Sequence, residues 1–594
     1  MIDTYVAGKP EFLVHRQAAL SATTIGRTFG PSDTYIIIAL VLVGVVAPVA
    51  AAICLHSFGI PQNDDWAYRI ALFRFVGTGH LSFVRWGAMT LLGQILWGVP
   101  FALVLGPHLW VASVAGAVLA CFGLCAAYLL VRGVLPWKWA AGCILLVLGS
   151  PGFLLNSANF MTDVPAYSAE MVCLYLGVLT LRASGRRRWA LLAVAMLVGC
   201  FGFSIREFAI AAPVAILICL ALQDRRHANV YAGAALCTAA ACAMIYVLCV
   251  HLGAVPGGLR LPTSGSFYNL AAMYFTLAFI LAPLIPSFAR RTLRSFSWPA
   301  AVAGTVTLTV GFELWHWTGA VFAGSFLLPQ GSLGIEAAFG PGRPALFPGP
   351  VWPLFSIIAV TSGACLAASA ARATSPVLKW LSSASTTRGQ LAAVQSRAAR
   401  FHADERGLLV LFAGVAGLML AMYCLFSTEV VRDRYLYPVV LPVAVLLVGP
   451  TTKRWSTDVL RPLGVVVALT AALLGIVVGI TTVSVTLNAD SYAAGLWKAG
   501  KVAVRAGVPP QAVDAAFAWR GYYDPAEDPI FDDGQFCAFV SNSNSPSAVA
   551  LGELLNFGPA ARGRLLQTVT YDELGFAIPE RLYVYLKSDA KCAT

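Results

Sequence analysis

Four short polar groups interrupt a chain that is otherwise strongly apolar, and their residue types are those of proton transfer and phosphate binding. The first, Asn63-Asp64-Asp65-Trp66, follows the first long apolar run and is followed by Arg69, Arg74, His80 and Arg85. Adjacent carboxylates repel, so both stay charged only where a cation, a metal or solvent compensates them. Asp64 and Asp65 are therefore candidates for a catalytic base or for ligands of a divalent cation (Mg, Mn or Ca). The competing reading is a solvated loop in which Asn63 caps a helix and the acids favour its first turn. The second group, Asn159-Phe160-Met161-Thr162-Asp163-Val164-Pro165, adds one carboxylate that alone would read as a helix cap ahead of a proline. The third is Arg206-Glu207, set between two apolar runs with almost no loop to solvate it. Charges at membrane depth line a cavity or pair with each other. The fourth is Arg432-Asp433-Arg434-Tyr435, opening a late apolar run, where snorkelling to the interface is the alternative for either arginine. Glu313 and His316 also interrupt an apolar run, but their spacing specifies no role.

The elements that must position these groups are membrane helices. Of the 594 residues 58% are hydrophobic and 11% charged, against about a quarter charged in a soluble domain. Crossing about 30 Å of hydrocarbon takes about 20 apolar residues. Such runs predict about thirteen transmembrane helices within 35–486, at 35–55, 109–131, 139–155, 165–183, 189–204, 208–223, 229–251, 269–288, 298–320, 352–371, 407–427, 435–450 and 462–486. A transmembrane barrel would alternate apolar and polar residues in segments of about ten, and the unbroken run 191–198 excludes it. The stretch Met89 to Leu105 is interrupted by Gly93, Gln94, Gly98 and Pro100, so residues 62–105 are read as interfacial helices.

The formal charge of +12 sits in short clusters between apolar runs, which speaks for membrane topology and against nucleic acid. With residues 1–34 as a cytoplasmic arm, every Lys and Arg cluster falls in a cytoplasmic loop, the largest being the basic loop 372–406. This predicts a multi-pass protein of the inner (plasma) membrane. The tail 487–594 then lies outside the cytoplasm. Its turn signals and the alternating Leu582, Val584 and Leu586 predict a small α+β domain. Cys537 and Cys592 are its only cysteines among 14 in the chain, and an extracytoplasmic location permits their disulfide. The same topology puts all four polar groups on the outer face, so one shared site is expected. Carboxylates beside cations there suit displacement of a polyprenyl phosphate: an Asp takes a proton from an acceptor hydroxyl and an Arg stabilises the leaving phosphate. A transporter or flippase of a lipid-linked or polar substrate, and a scaffold presenting the tail, are the rivals.

An acidic pair after the first span, an Asp within NFMTDVP, a basic residue in GFSIREFAIAAP and the segment RDRYLYPVVLP resemble the GT-C superfamily of membrane glycosyltransferases. The likeness is to the branch of aminoarabinose, protein O-mannosyl and actinobacterial arabinosyl and mannosyl transferases. It covers residues 35 to 450. The resemblance implies that Asp64 or Asp65 is the catalytic acidic residue, that Asp163 positions acceptor or metal, and that Arg206 and Arg434, with Arg432 beside them, contact the donor phosphate. Glu207, Arg69, His80 and Tyr435 would support them. Several members carry Lys where this chain has Arg206, and Arg binds phosphate bidentately without readily losing its proton. The implied activity is transfer of arabinofuranose or mannose from a polyprenyl-phosphate donor, among membrane lipids, to a glycan, lipid or protein acceptor of the cell envelope.

Overall fold

A helix apolar on all sides must bury itself in protein or in lipid, and such helices dominate the computed structural model. The structure describes residues 30–84, 86, 89–254, 258–287, 297–324, 326–327, 347, 349–383, 404–428, 431–449, 462–525, 536–541, 563–572 and 580–587. Each predicted span is occupied by a helix: α1 (Pro31–Cys54), α4 (Leu109–Val134), α5 (Trp137–Leu148), α6 (Asp163–Arg182), α7 (Gly185–Ile205), α8 (Ala211–Gln223), α9 (Ala228–His251), α10 (Ser264–Ile280), α11 (Trp298–Thr318), α12 (Val351–Ser383), α13 (Glu405–Phe426), α14 (Tyr437–Val448) and α15 (Pro462–Arg505). Among the described residues, eight helices are long and apolar enough to cross a membrane. The chain is a multi-pass helical bundle. The other helices are shorter or less apolar, so thirteen crossings do not follow from helix length. Between α1 and α4 lie α2 (Asp65–Thr78) and α3 (Leu92–Leu105). At 14 residues each, they reach about 21 Å, short of the hydrocarbon core.

Local exceptions to helical geometry follow from residue type. Pro48 has no N–H to give the Gly44 carbonyl and its ring crowds that group. The helix loosens into a π turn at Leu42–Val46, and the Ser157 hydroxyl donates to the Gly44 carbonyl at 2.7 Å. Gly116 of α4 lies where a Cβ would meet the Asn159 carbonyl at 2.5 Å, so the loop leading to Asp163 packs directly on the α4 backbone.

The last helix departs from the sequence expectation. The boundary at 487 falls inside α15, whose 44 residues extend about 66 Å, twice the hydrocarbon thickness. Its first half exposes Val465, Leu469, Leu473 and Ile476. Its second half buries Tyr492, Leu496, Trp497 and Ala503 under a four-stranded sheet, ordered β1 (Val513–Asp514), β2 (Ala538–Ser541), β4 (Glu580–Lys587), β3 (Gly563–Tyr571). The β1–β2 pair is parallel and the others antiparallel, and Leu582 and Val584 of β4 face the helix core as their alternation predicts. A short helix, α16 (Phe517–Tyr523), completes this small C-terminal domain. Residues 1–29 of the N-terminal arm, and 384–403 of the basic loop, lie outside the described residues.

Candidate functional site

Asp64 and Asp163 each stand at the start of a helix, yet neither acts as a cap. Asp64 is the N-cap residue of α2 and makes no cap hydrogen bond, and Asp163 is the first residue of α6, behind Thr162, whose side chain also makes none. Both carboxylates turn to groups from other elements. The Arg206 Nη1 donates to Asp163 Oδ1 at 2.6 Å and to Thr162 Oγ1 at 3.0 Å. The Arg434 Nε lies 3.3 Å from Asp163 Oδ2, and its Nη2 lies 3.6 Å from Asp64 Oδ2. Arg434 thus bridges the two acids, and Arg206 closes the far side. The four motifs meet at one end of the bundle.

Each cation is placed by an abrupt helix junction. Arg206 follows the last residue of α7 in extended conformation (φ −157°, ψ 137°), and a 3-10 turn, Glu207–Ile210, leads straight into α8. With no loop to carry it outward, its guanidinium stays beneath the surface, 4.6 Å from the Tyr435 ring and 5.5 Å from Phe208. Such cation–π contact with a desolvated guanidinium contributes about 2 kcal/mol. Arg434 belongs to the 3-10 turn Asp433–Leu436 ahead of α14. Asp433 anchors that turn by accepting the backbone N–H groups of Phe326 and Leu327 at 2.9 and 3.2 Å.

Burial separates the acids. The Asp163 and Asp65 side chains are 0% exposed, whereas Asp64 retains 15%. Asp65 points elsewhere: its Oδ2 accepts from Arg69 Nη2 at 2.7 Å and its Oδ1 from the Gln62 N–H at 2.6 Å. Burial pushes its carboxyl above the usual range, against the pull of Arg69 and of the Gln62 and Phe160 N–H groups. Arg69 is itself fully enclosed, donating also to Ser113 Oγ and to the carbonyls of Gly59 and Leu109. Repulsion between the adjacent acids is thus relieved by giving each its own guanidinium, Arg434 for Asp64 and Arg69 for Asp65. Ca takes six to eight oxygens, whereas Mg is held by one or two carboxylates and keeps several waters. Among the described residues no three His, Cys, Asp or Glu side chains form a group that could hold a metal ion, and Asp64, Asp65 and Asp163 face guanidinium groups instead.

The remaining expected residues are dispersed. Tyr435 lies in the cluster, under Arg206, and Arg432 is half-buried at the edge of the same turn. Glu207 turns from the cluster toward the Thr90 backbone. His80 is exposed beyond the C-terminus of α2, where its backbone N–H donates to Thr78 Oγ1. Arg74 is exposed, and Arg85 lies outside the described residues. Glu313 accepts from the Trp317 indole and His316 stacks on Phe312, each within its own helix. Cys537 is disulfide-bonded, and Cys592 lies outside the described residues.

Three aromatic residues join the site without having been singled out in the sequence. The Trp86 indole donates to Asp64 Oδ1 at 2.9 Å. Tyr68, fully buried, donates its hydroxyl to Met89 Sδ at 2.8 Å and lies in the field of Asp64, Arg206, Arg434 and Asp163; burial, then the Asp64 charge, pushes its phenol well above the tyrosine range. Tyr437 donates to the Pro151 carbonyl at 3.0 Å. Only Tyr68 had a readable signal, one helical turn past Asp64.

Asp433 gives the site a pH dependence. Burial pushes it up to about 7, against the pull of the Phe326 and Leu327 N–H groups and of Arg434. Its Oδ1 has no hydrogen-bond partner among the described residues. An unfolded Asp titrates near about 3.9, so the folded chain holds the extra proton between the two values. The stabilisation is complete below the unfolded value and lost as pH rises through 7. The melting temperature in detergent should fall from about pH 5 to about pH 8, and Asp433→Asn should flatten that fall. An unchanged slope in the variant would exclude Asp433 as its source.

No protein-family model matches the chain. No curated protein matches it either. Two solved structures are similar to it. ArnT from Cupriavidus metallidurans bound to undecaprenyl phosphate is 13% identical with a TM-score of 0.37, the match covering 92% of this chain and 99% of that one. ArnT from the same organism in the apo state is 13% identical with a TM-score of 0.38, covering 92% of this chain and 98% of that one. Likeness at this level assigns the chain neither a family nor an activity.

Proposed function

We propose that the chain is an inverting glycosyltransferase of the GT-C kind that moves a sugar from a polyprenyl-phosphate donor to a cell-envelope acceptor outside the cytoplasm. The observation that carries this reading is the pairing of Arg206 and Arg434 around the sealed Asp163, with the partly exposed Asp64 at the open side. Two guanidinium groups held in fixed positions suit the charge of a departing phosphate. Asp163 keeps them together against mutual repulsion. In the transfer step the Asp64 carboxylate takes the proton of an acceptor hydroxyl as its oxygen bonds to the sugar C1, while the bond from C1 to the phosphate oxygen breaks. The electron pair leaves with the polyprenyl phosphate, whose charge Arg206 and Arg434 meet. The exposed apolar tip of α3, with Leu103, Val104 and Leu105, suits insertion at the membrane surface.

The Lys and Arg clusters and the disulfide at Cys537 favour an outer position for the C-terminal domain, because stable disulfides belong to oxidising compartments. Arabinofuranose and mannose are the favoured sugars, from the motif resemblance.

The test is binding and turnover in proteoliposomes. Arg206→Gln and Arg434→Gln should each weaken binding of polyprenyl phosphate about ten- to a hundredfold, since a hydrogen bond to a charged group contributes about 1.5–3 kcal/mol. Arg→Lys at either position should recover part of the loss. A purified wild-type protein that binds no polyprenyl phosphate and transfers no sugar from such donors sinks the proposal.

A further inference from the structure

The Trp86 indole occupies the junction between the membrane bundle and the C-terminal domain. One edge donates to Asp64 Oδ1 at 2.9 Å. The ring lies 5.0 Å from Phe517 of α16 and 6.5 Å from Trp66 of α2, and those two rings are 6.0 Å apart in an edge-on arrangement. The three rings close a triangle over the start of α2, with Trp66 and Phe517 buried. α16 reaches this position because residue 521 is glycine: a Cβ there would stand 2.3 Å from the Trp66 ring, so any side chain would lift the helix away. A second tie runs beneath. Asp490 of α15 accepts from Gln62 Nε2 and Ser57 Oγ, both at 2.8 Å, and the Gln62 N–H donates to Asp65 Oδ1. Asn63, between Gln62 and Asp64, takes the left-handed conformation (φ 54°) that lets the chain turn between these anchors.

Trp86 lies in the irregular segment between α2 and α3, with no helix or strand ladder to hold it. What orients its indole is the Phe517 and Trp66 rings. The indole in turn occupies one oxygen of Asp64 and leaves the other toward Arg434. We propose that Trp86 is a positioning residue for Asp64 and that Phe517 of the C-terminal domain sets it, so that the C-terminal domain completes the geometry of the reacting carboxylate. This rests on the transferase reading given above. The indole N–H fixes the carboxylate rotamer, and a fixed base matters because misplacement by about 1 Å costs about a hundredfold in rate.

The test uses the full-length protein in proteoliposomes. Trp86→Phe keeps a ring and loses the N–H; Phe517→Ala removes the ring that holds the indole. Each should lower kcat about ten- to a hundredfold with the donor KM within about twofold of wild type. The double variant should be no worse than Trp86→Phe alone, because both act through one hydrogen bond, and Phe517→Tyr should restore kcat. A second readout needs no turnover. In protein labelled with 5-fluorotryptophan, the resonance lost in Trp86→Phe should shift in both Asp64→Asn and Phe517→Ala. Wild-type kcat in Trp86→Phe, independent multiplication of the two single effects, or a Trp86 resonance unmoved by Phe517→Ala overturns the proposal. Absence of sugar transfer by the wild type, with both resonance shifts present, removes the transferase reading and leaves the Phe517–Trp86–Asp64 coupling standing.

Discussion

Asp64→Asn is expected to lower kcat for sugar transfer by about 10²–10⁴-fold, the usual contribution of a positioned general base. Melting temperature and polyprenyl phosphate binding should stay close to wild type. The substitution is nearly isosteric, and the Asn carbonyl still accepts from the Trp86 indole, so the turn into α2 keeps its shape. What disappears is a group able to take a proton. Asp64 is singled out by position: its side chain retains 15% exposure, while those of Asp65 and Asp163 retain none. Its contact with Arg434, at 3.6 Å, is also the longest of the four carboxylate–guanidinium contacts these acids make. The experiment is single-turnover transfer from a synthetic polyprenyl-phosphate sugar, with donor binding measured separately. Wild-type turnover in Asp64→Asn would transfer the role elsewhere and sink the proposed step.

The gathering of Asp64, Asp163, Arg206 and Arg434 was legible in the sequence because each breaks an apolar run at a helix end, and the basic clusters put those ends on one face. Charge at such places needs a counter-charge, and these four residues carry opposite charges in pairs. The choice between Asp64 and Asp65 was not legible from adjacency. A better clue was present, since Arg69 stands four residues after Asp65, the spacing at which helical side chains pair. Trp86 carries no such signal, because an aromatic residue near a membrane surface ordinarily reads as an interfacial anchor, and its partner Phe517 is more than four hundred residues away in the chain. The boundary at 487 falls inside a continuous helix for a related reason. Composition turns polar there because α15 exchanges lipid for a sheet as its packing partner, while the helix itself runs on to Arg505. Composition reports the surroundings of a helix more directly than its ends.

Arg69→Met should act on folding rather than on chemistry. Arg69 and Asp65 are both 0% exposed, and the guanidinium also satisfies Ser113 and the carbonyls of Gly59 and Leu109, tying the start of α2 to α4. Removing it leaves Asp65 buried without its cation, which costs about 3–5 kcal/mol, against a total stability of about 5–15 kcal/mol for a typical domain. The variant should elute as aggregate or melt far below wild type in detergent. Asp65→Asn should also destabilise, because its single amide oxygen accepts from the Gln62 N–H or from Arg69 but not from both, and the enclosed guanidinium loses its counter-charge. It should keep most of its turnover, the reverse of Asp64→Asn. Asp65→Asn combined with Arg69→Met should be more stable than Arg69→Met alone, since the orphaned charge is gone. Thermal unfolding by intrinsic fluorescence, alongside turnover of the monodisperse fraction, separates these outcomes. Loss of transfer in Asp65→Asn at unchanged melting temperature would return Asp65 to the reaction. With neighbouring acids so differently enclosed, the physical expectation is that one holds the fold and the other moves the proton.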